Sequence, residues 1–127
     1  MLFKKLKAKR LFADKTGQDK IWELYTSGEL KKLSPEADAV CAYESGVDGD
    51  GHSGFFFNNE EDMTGCIDIL KTVLPSGLYE NLYRAWKAYN TENEETICDE
   101  ADDYFYEHEQ EIIDIVYEYS VRFFPDH

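Results

Sequence analysis

The chain has 127 residues, of which 43% are hydrophobic and 15% aromatic. This is enough apolar material for one domain with a single core, and too much for a disordered chain. Its 27 acidic and 13 basic residues give a net charge of −14 at pH 7, so we expect no direct binding of nucleic acid and none of an anionic membrane surface. No apolar run is long enough to span a bilayer.

The charge is unevenly distributed along the chain. Residues 1–32 hold nine basic and four acidic residues, whereas residues 33–127 hold four basic and 23 acidic residues. The basic start lacks the apolar segment of a signal peptide. We therefore predict a basic arm or helix over residues 1–16 and a single acidic helical domain over residues 17–127.

The cysteines indicate a reducing environment. Cys41, Cys66 and Cys98 are odd in number and widely spaced, and no Cys-x-x-Cys pair is present. Such cysteines usually pack as small hydrophobic side chains rather than bind zinc or form a disulfide framework. Together with the missing signal peptide, they favour a cytoplasmic location.

Two helices are predicted in the first third of the chain. Residues 17–33 carry apolar side chains at helical spacing, with Gly28 as a weak point. The sequence Ser34-Pro35-Glu36 is a strong helix start, because a serine side chain can accept a hydrogen bond from a free N–H group and proline suits the first helical position. We expect this second helix to end near Ser45.

Glycines mark the next segment. Gly46, Gly49, Gly51 and Gly54 together predict a loop. The run Phe55–Phe57 that follows is the only short candidate for a strand.

Two further helices precede the acidic end of the chain. One begins at Glu60 or Glu61 and carries apolar residues at helical spacing as far as Leu74. The sequence Pro75-Ser76-Gly77 interrupts it, and a second amphipathic helix then runs from Leu78 to Tyr89. Because no alternating strand pattern appears, we predict an all-α fold, a single compact domain of about five or six helices.

The last segment predicts a helix with two contrasting faces. Residues 92–118 contain 12 acidic residues and no Lys or Arg. We expect a break near Asp102-Asp103, because the aromatic run Tyr104–Tyr106 is a poor helix former. The apolar face is formed by Ile97, Ala101, Phe105, His108, Ile112, Ile115, Val116, Tyr119 and Phe123. The opposite face is a row of carboxylates, which we call the acidic stripe: Asp99, Asp103, Glu107, Glu111, Asp114 and Glu118.

Two metal-site patterns begin in the sequence but are not completed. The segment Asp48–His52 resembles the start of a calcium loop, yet its sixth and twelfth positions are Ser53 and Asn59 rather than glycine and glutamate. The segment His108–Glu111 resembles a zinc-protease helix, yet the second histidine is replaced by Ile112. We therefore predict no metal ligand in either segment and a structural, partly buried His108.

Other catalytic patterns are absent from the sequence. It contains no Gly-x-Ser-x-Gly elbow, no phosphate-binding glycine loop ending in Lys-Ser/Thr, and no dinucleotide fingerprint after a strand. The prediction is accordingly a protein without catalytic residues, metal or cofactor.

Three motifs resemble those of the DNA-mimic-protein-like family. They are the helix start Leu33-Ser34-Pro35-Glu36, the glycine-aromatic segment His52–Asn58, and the stretch Asp103–Glu107 that leads into an acidic and apolar last helix. The family usually has Asn-Gly where this chain has His52-Ser53. The resemblance covers about residues 30–125 and implies an all-helical fold, with a role as a DNA mimic that occupies a DNA-binding protein, in one member as a homodimer. The family-motif loop residues in this chain are Gly54, Phe55 and Asn58.

Three functions follow from these observations. The first is a binding protein whose acidic stripe engages the basic surface of a DNA-binding protein. As one helix, the 12 acidic residues of residues 92–118 would give one charge per about 3.4 Å, close to the charge density of a DNA strand, whereas the acidic stripe alone gives one per roughly 5 Å. The second is an immunity-type inhibitor of a cationic toxin such as a nuclease, which would use the same charges. The third is an enzyme with a site at the glycine-rich loop 48–57. The alternative to all three is that the stripe only solubilises the helix.

Overall fold

The computed structural model describes residues 16–125, with side chains from residue 19. This part of the chain forms an all-α domain, as predicted, with seven α-helices and one short 3₁₀-helix and without a strand. The predicted basic arm lies outside the described residues apart from Thr16. The helices are α1 (Thr16–Ser27), α2 (Glu29–Leu33), α3 (Pro35–Asn58), α4 (Met63–Val73), α5 (Ser76–Ala88), α6 (Glu94–Glu107) and α7 (Glu109–Phe123), and the 3₁₀-helix (Glu60–Asp62) precedes α4.

Gly28 divides the first predicted helix into two. Its φ of 84° lies in the left-handed region, which glycine adopts at little cost. The Gly28 N–H donates to the carbonyl of Tyr25 at 3.1 Å and closes α1. The break turns the chain so that Leu30 in α2 is fully buried.

The helix start at Ser34 is confirmed. The backbone of Ser34 is extended, and the N–H of Ala37 donates to its Oγ at 3.1 Å. Pro35 occupies the first helical position of α3. The sequence motif therefore positions the N-terminus of the longest helix of the described chain.

The predicted glycine-rich loop over residues 46–54 is wrong, and so is the candidate strand Phe55–Phe57. The chain remains helical to Asn58, and inside α3 only Gly51 leaves the helical region, with φ 71° and ψ 177°. Each glycine weakens a helix by about 1 kcal/mol. In α3 the burial of Val47, His52 and Phe55 on one side of the kinked helix outweighs that preference.

Helix α3 is the centre of the fold, because it packs against each of the other six described α-helices. Its kink turns aromatic residues into the core, where the Tyr43 ring meets those of Phe55 and Phe105 edge to face at centroid distances of 5.5 and 5.4 Å. The largest wholly buried side chains include Tyr43, Phe55, Phe56, Phe105, Ile21, Leu30, Met63, Leu70, Leu78, Leu82, Ile112 and Ile113.

The break in the C-terminal segment lies at His108, not at Asp102-Asp103 as predicted. The aromatic run remains helical because tertiary contacts stabilise it: Phe105 is fully buried, and the Tyr106 hydroxyl donates to the carbonyl of Val47 at 3.3 Å. Helix α6 packs on α3 and α5, whereas α7 packs on α1 and α3. In the described part of the chain, no helix has the length and apolar character needed to cross a membrane.

Candidate functional site

All six carboxylates of the acidic stripe are exposed. The break at His108 divides them into three on α6 (Asp99, Asp103 and Glu107) and three on α7 (Glu111, Asp114 and Glu118). The stripe is therefore carried by two helices that rest on different neighbours, rather than by one straight helix.

The stripe has few polar partners among residues 19–125. His108 Nδ1 lies 2.7 Å from Glu111 Oε2, and the Gln110 amide donates to Asp114 Oδ1 at 2.8 Å. Among residues 19–125, no Lys or Arg forms an ion pair with any of the six carboxylates. The Lys and Arg residues of this part of the chain therefore leave the negative charge of the stripe unpaired.

An open groove lies where the kink of α3 meets α6. Its volume is about 660 Å³, and carboxylates from both helices line it. Asp99 and Asp103 belong to the acidic stripe, whereas Asp50 and Asp102 were not predicted as site residues. No spacing rule links positions 50 residues apart, and only the fold brings them together. The complete lining, which we call the acidic groove, is Gly49, Asp50, Gly51, Asp99, Asp102, Asp103 and Tyr106.

A buried histidine fixes one wall of the acidic groove. The backbone N–H of His52 donates to Asp102 Oδ1 at 2.8 Å, and its ring Nδ1 lies 2.7 Å from the same oxygen. Because an ionised carboxylate only accepts, Nδ1 carries a proton, and in the neutral ring Nε2 then accepts from the Tyr43 hydroxyl at 2.8 Å. The imidazole is fully buried with both nitrogens occupied, so it positions Asp102 on α6 against the kink of α3.

Gly51 is the residue that permits this close approach. A Cβ atom at this position would lie 2.6 Å from Asp102 Oδ2. The combination of φ 71° and ψ 177° is adopted almost only by glycine. The kink and the placement of Asp102 therefore both depend on the missing side chain.

The family-motif residues lie in the second part of α3. Gly54 is half-buried, Phe55 is in the core, and Asn58 is the exposed last residue of the helix. Of the three phenylalanines, Phe55 and Phe56 are core residues, whereas Phe57 is 72% exposed. The motif thus contributes mainly to the core that holds the kink.

A second group of carboxylates is buried except for Asp48, which is partly buried. One ligand oxygen from each of Glu44, Asp48 and Glu109 lies within 4.8 Å of those of the other two. Desolvation by burial raises the pKa of Glu44 well above its ordinary value, and the neighbouring carboxyl groups of Glu109 and Asp48 raise it further. Of the described residues, these three form a group that could hold a metal ion.

Comparisons with known proteins found no matching family model, no matching curated protein and no matching solved structure.

Proposed function

We propose that this chain is an acidic binding protein that docks the basic, DNA-binding surface of a partner protein, with the acidic groove and the acidic stripe as its contact surface. The observation that carries the proposal is the concentration of Asp50, Asp99, Asp102 and Asp103 around one open groove. It acts by binding rather than by catalysis, in a cytoplasmic compartment where its three free cysteines stay reduced.

The shape and charge of the groove suit a cationic side chain. Four carboxylates that converge from two helices can accept the several N–H donors of an arginine, or pair with a lysine ammonium. Asp50, Asp99 and Asp103 are exposed and form no ion pair within residues 19–125. A partner that inserts Arg or Lys therefore displaces no counter-charge that residues 19–125 supply.

Repulsion between the carboxylates of the acidic stripe, which destabilises the helices that carry them, also supports a binding role. Like charges four residues apart on a helix oppose its formation by about 0.2–0.5 kcal/mol per pair. Asp99, Asp103 and Glu107 form two such pairs on α6. The resemblance to the DNA-mimic-protein-like family indicates a role for this charge arrangement, namely imitation of a DNA backbone.

The experiment is capture of a partner by the immobilised full chain from a lysate of the source organism, with mass spectrometry of the proteins retained at low and high salt. A groove variant, Asp50→Asn/Asp99→Asn/Asp103→Asn, removes three charges. A control variant, Glu61→Gln/Asp68→Asn/Glu80→Gln, makes the same change in net charge at exposed positions outside the groove.

We expect one or more DNA-binding proteins to be retained at low salt and released at high salt, because the Debye length falls from about 10 Å at 0.1 M to about 3 Å at 1 M. With about 0.2–1 kcal/mol per exposed ion pair, loss of three carboxylates weakens binding roughly three- to 150-fold. The control variant should bind like the parent chain, and added duplex DNA should release the partner.

If the groove variant and the control variant lose binding equally, retention depends on net charge, and the groove is refuted as a contact surface. Retention of a toxin that DNA does not displace would favour the inhibitor hypothesis over DNA mimicry.

A further inference from the structure

Glu44, Asp48 and Glu109 bring three carboxyl groups together inside the fold from distant parts of the sequence. Glu44 and Asp48 are one turn apart on α3, and Glu109 is the first residue of α7. Glu44 and Glu109 are only 4% and 2% exposed. The cluster therefore differs from the acidic stripe, whose carboxylates are all exposed.

Two oxygens of this cluster are buried without a donor from outside the cluster. In the described part of the chain, Asp48 Oδ1 has no hydrogen-bond partner, and the Glu44 carboxyl group, whose Oε2 has no other donor, hydrogen-bonds only with the carboxyl group of Glu109. Within residues 19–125, neither side chain forms an ion pair with a Lys or Arg. An ionised carboxylate that is buried without a donor or counter-charge is unfavourable. The cluster avoids that state either by holding a proton, which the raised pKa of Glu44 reflects, or by holding a cation between the three groups in place of the proton.

We propose that Glu44, Asp48 and Glu109 bind one divalent cation of the size of Ca²⁺. This site is separate from the acidic groove and does not depend on the proposed docking function. A bound ion would join the middle of α3 to the start of α7 and so brace the second half of the acidic stripe.

The donor set favours a hard cation, and its dimensions accommodate calcium. All three donors are carboxylate oxygens, which hard cations prefer to the nitrogen and sulfur ligands typical of zinc. Two oxygens that share one Ca²⁺ lie at most about 4.6–5.2 Å apart, because each Ca–O distance is about 2.3–2.6 Å, and the three oxygens of this cluster fall within 4.8 Å of one another. Mg²⁺ requires shorter bonds, of about 2.0–2.1 Å, and a near-ideal octahedron.

The ion, and the water molecules that complete its coordination, can reach the cluster from the side of Asp48. This residue is only partly buried, so solvent can reach one side of the cluster. Ca²⁺ takes about six to eight oxygen ligands and accepts water among them. Carboxylates that bind through both oxygens, together with water on the Asp48 side, can complete the shell.

The test uses the full-length chain, freed of metal with a chelator and kept in KCl, which suppresses diffuse binding to the acidic surface. Thermal unfolding and titration calorimetry are measured with CaCl₂ at up to about 1 mM, the upper end of the range for calcium sites. The variants are Glu44→Gln and Asp48→Asn. Glu107→Gln and Asp103→Asn are the matched controls, because they remove the same charges from exposed positions.

We expect one Ca²⁺ per parent chain, a rise in Tm with CaCl₂, and a smaller or absent rise with MgCl₂. Asp48→Asn should weaken Ca²⁺ binding about tenfold or more, and Glu44→Gln should abolish the Tm rise, while both controls respond like the parent. If Glu44→Gln does not fold, the comparison of Asp48→Asn with Asp103→Asn decides the question.

A parent chain whose Tm is unchanged by CaCl₂ and that shows no saturable heat would overturn the proposal. So would an equal loss of affinity in Asp48→Asn and Asp103→Asn, because that result describes a diffuse ion atmosphere. Either outcome leaves the acidic groove hypothesis untouched, since none of the three ligands lines the groove.

Discussion

Replacement of Gly51 by alanine tests whether the kink of α3 holds the fold and the groove together. Two effects contribute to the change in the free energy of unfolding. A non-glycine residue at φ 71° and ψ 177° costs about 1–3 kcal/mol. In addition, the new Cβ would lie 2.6 Å from Asp102 Oδ2, so Asp102 must move and weaken its hydrogen bonds to His52, each worth about 1.5–3 kcal/mol as bonds to a charged group.

With one of those bonds lost, Gly51→Ala should destabilise the chain by about 2–6 kcal/mol. This is a large part of the stability of an ordinary domain, which is about 5–15 kcal/mol. The assay is equilibrium unfolding in urea followed by circular dichroism. Gly49→Ala is the matched control, since Gly49 is helical and a Cβ there meets nothing within 4 Å; it should stabilise the chain by about 0.5–1 kcal/mol.

A double-mutant cycle separates the two contributions. In an Asp102→Ala background the carboxylate that the new Cβ would meet is absent, so Gly51→Ala should cost only the backbone strain of about 1–3 kcal/mol. If Gly51→Ala and Gly49→Ala have the same effect, or if the cycle shows no coupling between Gly51 and Asp102, then the kink does not depend on the missing side chain of Gly51 and the reasoning is refuted.

Two further predictions concern stability. Ser34→Ala removes the acceptor for the Ala37 N–H and should lower the free energy of unfolding by about 1 kcal/mol; an unchanged urea midpoint would show that the cap contributes nothing. Burial raises the pKa of the Cys41 thiol to about 12 and that of Cys66 to about 11, whereas an unfolded thiol ionises near about 8.5. The contribution of these buried thiols to the free energy of unfolding should therefore be complete below about pH 8. As the pH rises further, the free energy of unfolding should fall by up to about 1.4 kcal/mol per pH unit for each thiol. Urea midpoints at about pH 8 and 9.5 test this, and Cys41→Ala should reduce the slope, whereas an unchanged slope would contradict the assignment to Cys41.

The helical class of the protein and most helix boundaries could be predicted from local sequence features. Helical spacing of apolar residues predicted α4 and α5, and the Ser34-Pro35 pair predicted the start of α3. These features are local, because capping and the 3.6-residue period act within one or two turns. The acidic stripe could be predicted in the same way, because burial of one face of a helix leaves the opposite face exposed.

The course of α3, the position of the C-terminal break and the composition of both carboxylate sites depend on contacts between helices and could not be predicted from local sequence features. The glycines of residues 46–54 favour a loop locally, yet burial of Phe55 and of His52 with its partner Asp102 keeps this segment helical on both sides of Gly51. Asp50 joins the acidic groove, and Glu109 joins Glu44, through contacts between residues far apart in the chain. Pattern rules describe neighbours along one helix, whereas these sites depend on how separate helices pack.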